Sequence, residues 1–318
     1  MDSFLGSAFN LTFGTSTAGP VTVSSAMTRT SGVLNIVTGA AQTVNVNAAL
    51  SAPSGVTITG GSANVAAPVS STFGGVTLTS DSMNIGAPIT APVVTLTTLT
   101  AARPINLGTE TAGALSLTAA EINQINASST SSSLTIGSST AGPLTISAPI
   151  APAGGTTSTS LTLISGGNIT QSPSAPIVTK KLNTTTVAGV TTTTQTGSLS
   201  VISTGGQVNL PAANDVGVTL TGSSSGAANS FIFTNVGPLK LQNVGVSASG
   251  LGAKILINSG FFAFTPLVVA SESSGSPFDI CALAPEICSL RNVFDDNRFD
   301  PDKDKDKGAD KNKNICGA

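Results

Sequence analysis

One short unit is written repeatedly along this chain. Residues 14–24 read GTSTAGPVTVS, residues 108–118 read GTETAGALSLT and residues 137–150 read GSSTAGPLTISAPI. Each copy is a polar turn around Thr-Ala-Gly that enters a brief alternation of apolar and hydroxyl side chains. Residues 236–241 (VGPLKL) form a looser echo. A strand this short cannot bury its apolar side alone, so the copies must stack on one another.

The wider spacing agrees. Strand-like runs starting at Val56, Val76, Val94, Leu115 and Leu134 follow one another at a near-constant step, and runs at Leu199, Val218 and Leu239 continue the series. Further short strands lie between them, such as Val44-Asn45-Val46-Asn47. More than one strand per step suits the coils of a single-stranded parallel β-helix, a β-solenoid of the all-β class. Val, Leu and Ile then face inward, and Thr, Ser and Asn alternate outward. Glycine pairs (60-61, 74-75, 154-155, 166-167, 205-206) are expected at corners where φ turns positive. Prolines after small residues, as in Ala67-Pro68, Ala87-Pro88 and Ala148-Pro149, fall at strand ends, where the missing N–H costs no ladder bond. Roughly a dozen coils are expected, each adding about 4.8 Å. Residues 119–126 (AAEINQIN) alone carry helical spacing and read as a loop insertion.

Composition decides between order and disorder. Charged residues make up 9% of the 318, and His, Trp and Tyr are absent. Disordered chains couple high charge to low hydrophobicity; here mean hydropathy is +0.31. Phenylalanines gather at two places, Phe4, Phe9 and Phe13, then Phe231, Phe233, Phe261, Phe262 and Phe264, where they either cap the stack or belong to its core. The expected division is an N-terminal cap or truncated edge over 1–13, repeats over 14–260, an end cap and linker over 261–276, a small cysteine-containing appendage over 277–299 and a charged flexible tail over 300–318.

The same composition excludes several functions. A net charge of −2, with no basic patch and no aromatic series, argues against nucleic-acid binding. Gly, Pro, Ser and Thr interrupt every apolar run before it could span a membrane as a helix. Up to Ala270 the carboxylates are Asp2, Asp81, Glu110, Glu121 and Asp215. No two lie one coil step apart, so no facing acid pair is expected. No histidine or body cysteine supplies a nucleophile–base set. The reading is of a non-enzyme without cofactor or metal. Cys281 and Cys288 are spaced for a possible disulfide, with Cys316 left over or the true partner of either. Asp302, Asp304 and Asp306 imitate the start of a calcium loop, but the glycine comes late, at Gly308, and the closing Glu is missing.

Residues 161–171 (LTLISGGNITQ), the G-T-x-T-A-G-x-L-[ST]-[LI] units and residues 214–233 resemble the repeat region of filamentous haemagglutinin-like exoproteins. These are large bacterial surface adhesins exported by two-partner secretion or as autotransporters. The likeness spans roughly residues 14–260. It implies a right-handed coil, an outer-membrane transporter for export, a cell-surface or extracellular location, and attachment to host-cell or matrix glycans and proteins or to other bacteria. That family's secretion domain carries Asn-Pro motifs. None occurs here and no signal peptide is visible, so the chain is expected to be a distal part of such a protein or a truncated gene product. Two other functions fit a β-helix: a polysaccharide-binding or -cleaving tailspike or lyase, and an ice-binding solenoid displaying Thr57/Thr59, Thr77/Thr79 and Thr95/Thr97.

Overall fold

The computed structural model describes residues 10–125, 131–152, 158–187, 190–225, 229–237, 239–240, 244–250, 252–259 and 262–263. All fall within Met1–Ser271, one of two units into which the chain divides. They form an all-β parallel solenoid of about nine turns. The described residues hold one helix, Ala119–Asn123.

Alternation builds the first face. Leu11, Leu34, Val56, Val76, Val94, Leu134, Leu161, Leu199, Leu220 and Val244 are successive partners in one parallel ladder. From Leu34 to Leu220 these side chains are at most 1% exposed. Two residues along each strand, Ile36, Ile58, Leu78, Leu96, Ile136, Leu163 and Val201 form a second buried column. Burying each such side chain stabilises the stack by about 1.5–3 kcal/mol. The ladder begins at Leu11–Gly14, ahead of the Gly14 start read from the repeats.

A second face runs through Val21–Val23 and Thr43–Val46 to the far half of Val56–Val65 and of Val76–Ile85. Beyond Val76–Ile85 lie Leu115–Thr118, Ile105–Gly108, Leu144–Ile146, Ile169–Gln171, Val208–Asn214, Phe231–Asn235 and Ile255–Ser259. The third face is made of two-residue strands, Met27–Thr28, Leu50–Ser51, Val69–Ser70 and Ile89–Thr90. Prolines precede the last two, and their carbonyls still serve the ladder: Leu50 N–H donates to Pro68 O at 2.9 Å and Val69 N–H to Pro88 O at 3.0 Å.

Four expectations change. The turns number about nine, not a dozen, because two turns are long. Val94 pairs with Leu134 and Leu161 with Leu199, and each pair spans close to twice the ordinary step. Leu115 does not follow Val94 on the first face; it pairs with Ile105 on the second.

The glycine pairs also behave differently. None of Gly60, Gly61, Gly74, Gly75, Gly166, Gly167, Gly205 or Gly206 has positive φ. Several are glycine because backbones crowd: a Cβ at Gly74 would sit 1.9 Å from Ser54 O, and one at Gly61 2.1 Å from Ala40 O. Positive φ belongs instead to the first glycine of each repeat unit, Gly14 at 81°, Gly108 at 110° and Gly137 at 90°. There the strand stops and the corner starts.

Phe231 and Phe233 are fully buried core residues with Ile255–Ser259 stacked beyond them, so they do not cap the stack. Gly222 makes the room: a Cβ there would meet the Phe231 ring at 2.7 Å. Phe13 is half-buried at the N-terminal end. Phe4, Phe9, Phe261 and Phe264 lie outside the described residues.

Candidate functional site

Ladder register turns outward side chains into columns. Thr57, Thr77, Thr95, Thr135, Thr162, Ser200 and Thr221 are successive partners on the first face. Beside them run Thr59, Thr79 and Thr97, the last with its hydroxyl oxygen buried. Both columns are half-buried, their hydroxyls spaced by strand geometry at about 4.8 Å across strands and about 6.6 Å along them. On the second face, Asn84 Nδ2 donates to Asn64 Oδ1 at 3.2 Å and Asn64 Nδ2 to Asn45 Oδ1 at 3.4 Å, an amide ladder over three turns. The surface these columns present is neutral, polar and repetitive. It offers hydrogen bonds at fixed intervals without a charged focus.

Two insertions break the monotony. In the first, Ile105–Gly108 and Leu115–Thr118 are parallel neighbours joined by residues 109–114 alone, far shorter than the usual parallel crossover. The connection is a copy of the repeat unit used in a new way. At the other two copies the sixth residue, Gly19 or Gly142, leads into a proline. Here Ala114 replaces that proline, and its N–H donates to Thr111 O at 3.3 Å while Gly113 turns to φ 79°. The loop folds back over its own strands. Asn106 Nδ2 donates to Thr111 Oγ1 at 2.8 Å, and Thr111 N–H to Ser116 Oγ at 2.9 Å. Asn106 and Ser116, outward by alternation, are thereby only 5% exposed.

The helix Ala119–Asn123 follows, as its spacing implied. Thr118 and Glu121 form a capping box. Glu121 Oε1 also accepts from Ile85 N–H at 3.1 Å, tying the helix to the Val76–Ile85 strand.

The second insertion is the segment around Thr185. It is an antiparallel hairpin, Lys181–Val187 with Val190–Thr196. Its feet are fixed to the coils. Thr179 and Lys180 N–H both donate to Asp215 O at 3.1 Å, and Lys180 Nζ lies 3.4 Å from Asp215 Oδ1.

Asp2 lies outside the described residues; of the other carboxylates, three hold the chain together. Asp81 receives Leu99 and Thr100 N–H, Glu121 caps the helix, and Asp215 pairs with Lys180. Glu110 is exposed in the fold-back loop. Among the described residues, no three Asp, Glu, Cys or His side chains gather to hold a metal ion. Inside the coil, Gln171, Asn214 and Asn235 form a buried amide cluster that sequence reasoning did not single out. Asn214 Oδ1 accepts from Gln171 Nε2 at 2.7 Å and Ile177 N–H at 2.8 Å; its Nδ2 donates to Thr234 O at 2.9 Å. Cys281, Cys288, Cys316 and the Asp302–Asp304–Asp306 run lie outside the described residues.

No protein-family model, no curated protein and no solved structure matches this chain.

Proposed function

We propose that this solenoid is a non-catalytic attachment element of a bacterial surface or secreted exoprotein, exported through an outer-membrane transporter. The observation carrying the reading is the register of its outward hydroxyl and amide columns, which repeats one neutral hydrogen-bonding pattern turn after turn. Such a face engages extended, uncharged, hydroxyl-rich polymers through many weak contacts whose effect multiplies. Host-cell and matrix glycans have this chemistry, and so do the coats of neighbouring bacteria. The likeness of the repeat units to haemagglutinin-type exoproteins supports the same role. The test is binding of the purified chain to a glycan array, to matrix-coated surfaces and to cells. Thr77→Lys and Thr95→Lys together are expected to weaken capture at least tenfold. No retention on any surface by the unaltered chain sinks the reading.

The columns through Thr57, Thr77 and Thr95 and through Thr59 and Thr79 favour a second reading, an ice-binding face, since they present hydroxyls at fixed spacing in two dimensions. Thermal hysteresis in a nanolitre osmometer decides it. Freezing at the equilibrium melting point removes this reading and leaves the first untouched.

A further inference from the structure

Phe73 breaks the habit of this chain. It is the only aromatic residue between Gly14 and Ser230. It is 83% exposed, more than any other large apolar residue among those described. A scattered surface aliphatic needs no special account. A sole aromatic, displayed beside columns of hydroxyls, does.

Ladder register shows how the ring is displayed. Leu50, Val69 and Ile89 are successive partners on the third face, and Val56, Val76 and Val94 on the first. The corner between these faces takes five residues in one coil (51–55), six in the next (70–75) and four in the third (90–93). The longest of the three corners carries Phe73. Its backbone is held: Phe73 and Gly74 N–H both donate to Pro53 O, at 2.9 and 3.0 Å, and the Ser71 hydroxyl donates to the same oxygen at 3.2 Å. The ring therefore stands out from a fixed base. Val93, 43% exposed, follows in the next coil, its Cβ 4.0 Å from where a Cβ on Gly75 would sit. Around this small apolar spot Ser54 and Thr72 are exposed, and the strands leaving the corner carry the column Thr57, Thr77, Thr95. Asp81 is the one charged residue between residues 50 and 97, and its carboxylate is engaged by the N–H groups of Leu99 and Thr100.

An uncharged aromatic face bordered by hydroxyls matches one chemistry closely. A pyranose has a face of C–H groups, weakly positive, that lies well on the negative face of a phenyl ring. The hydroxyls around its edge meet side-chain hydroxyls. An apolar protein partner would need far more apolar area than one phenyl ring and one valine supply. We infer that Phe73 is the stacking platform for one pyranose residue of a neutral glycan chain, with the Thr57, Thr77, Thr95 column binding the residues that follow. This rests on the attachment reading and names its ligand class and its anchor.

Isothermal titration calorimetry of the full chain tests it. The probes are neutral hexaoses of glucose, xylose, mannose, galactose and N-acetylglucosamine, with poly(vinyl alcohol) as a polymer that has hydroxyls and no ring. At least one hexaose is expected to bind, and poly(vinyl alcohol) is not. Phe73→Ala and Phe73→Leu are expected to weaken hexaose binding about tenfold, and Phe73→Trp to keep or tighten it, all with unchanged thermal unfolding. Equal affinity in Phe73→Leu overturns the inference, as does equal binding of poly(vinyl alcohol) or the absence of hexaose binding. Capture of the unaltered chain on cells and matrix is read separately. Retention there leaves the attachment reading standing when the anchor fails, and retention on no surface removes both.

Discussion

Arg103 reaches across a turn to Asp81. Its Nε donates to the Asp81 main-chain carbonyl at 2.9 Å and lies 3.8 Å from the Asp81 carboxylate. The same carboxylate accepts the N–H groups of Leu99 at 3.0 Å and Thr100 at 2.8 Å, and the Thr100 hydroxyl. A single acidic side chain therefore holds the corner at which the chain leaves the first face on its way to the strand Ile105–Gly108.

Asp81→Ala leaves those two amides without their acceptor. A loss of about 1–3 kcal/mol is expected, and Asp81→Asn, which keeps one acceptor oxygen, is expected to lose less. Hydrogen exchange at Leu99 and Thr100 should speed up well before exchange in the Leu34 to Val76 ladder. Unchanged protection at both amides contradicts the assignment.

Glycine at two positions answers to different constraints. Gly74→Ala forces a Cβ into the Ser54 carbonyl and is expected to destabilise by about 1–3 kcal/mol. At Gly19, exposed and with nothing within 4 Å of an added Cβ, alanine is expected to be neutral or stabilising by up to about 1 kcal/mol. Thermal unfolding of the two variants side by side checks the order.

Ala114→Pro restores the proline found in the other two copies of the repeat unit and is expected to harm this one. It deletes the Ala114 N–H bond to Thr111 O and crowds the left-handed Gly113. The loop carries exposed Glu110, so a glutamate-specific protease reports on it directly. Cleavage after Glu110 should accelerate severalfold, and an unchanged rate argues that the fold-back tolerates the ring.

Asn214→Ala removes the centre of the buried amide cluster. Ile177 N–H and Gln171 Nε2 each lose a partner in the interior, at a combined cost of about 2–5 kcal/mol. In a solenoid each turn leans only on its neighbours, so urea should release the turns around residues 171–235 first, with a fragment-wise rather than single transition.

The inward columns were readable because strand alternation is local: Val56-Thr57-Ile58-Thr59 announces its own buried face. Their stacking order was less so. Leu115-Ser116-Leu117-Thr118 has the same pattern and the right spacing, yet belongs to another sheet, because the fold-back loop reverses the expected sequence of turns. Nothing within those four residues distinguishes the two placements; the replacement of proline by Ala114 was the available sign. The glycine pairs misled for a related reason. A glycine that avoids a neighbouring carbonyl and one that needs positive φ look alike in a sequence, and only the stacked turns tell Gly74 from Gly14. The hairpin did leave a signal, since Val187 and Val190 flank just Ala188 and Gly189, a two-residue spacing typical of such turns. The outward threonines at 57, 77 and 95 were legible as a series, and the structure adds their register.

Val94 and Leu134 sit side by side despite the long stretch of chain between them. The excess is spent outside the first-face ladder, part of it on the paired strands Ile105–Gly108 and Leu115–Thr118, and the next turn resumes in phase. Corners of this coil therefore act as neutral grafting points. Lineages can lengthen, exchange or discard what hangs there while the winding underneath stays the same, so variation between related chains should concentrate at residues 109–114 and 180–196, where new specificities arise without any need to refold the scaffold.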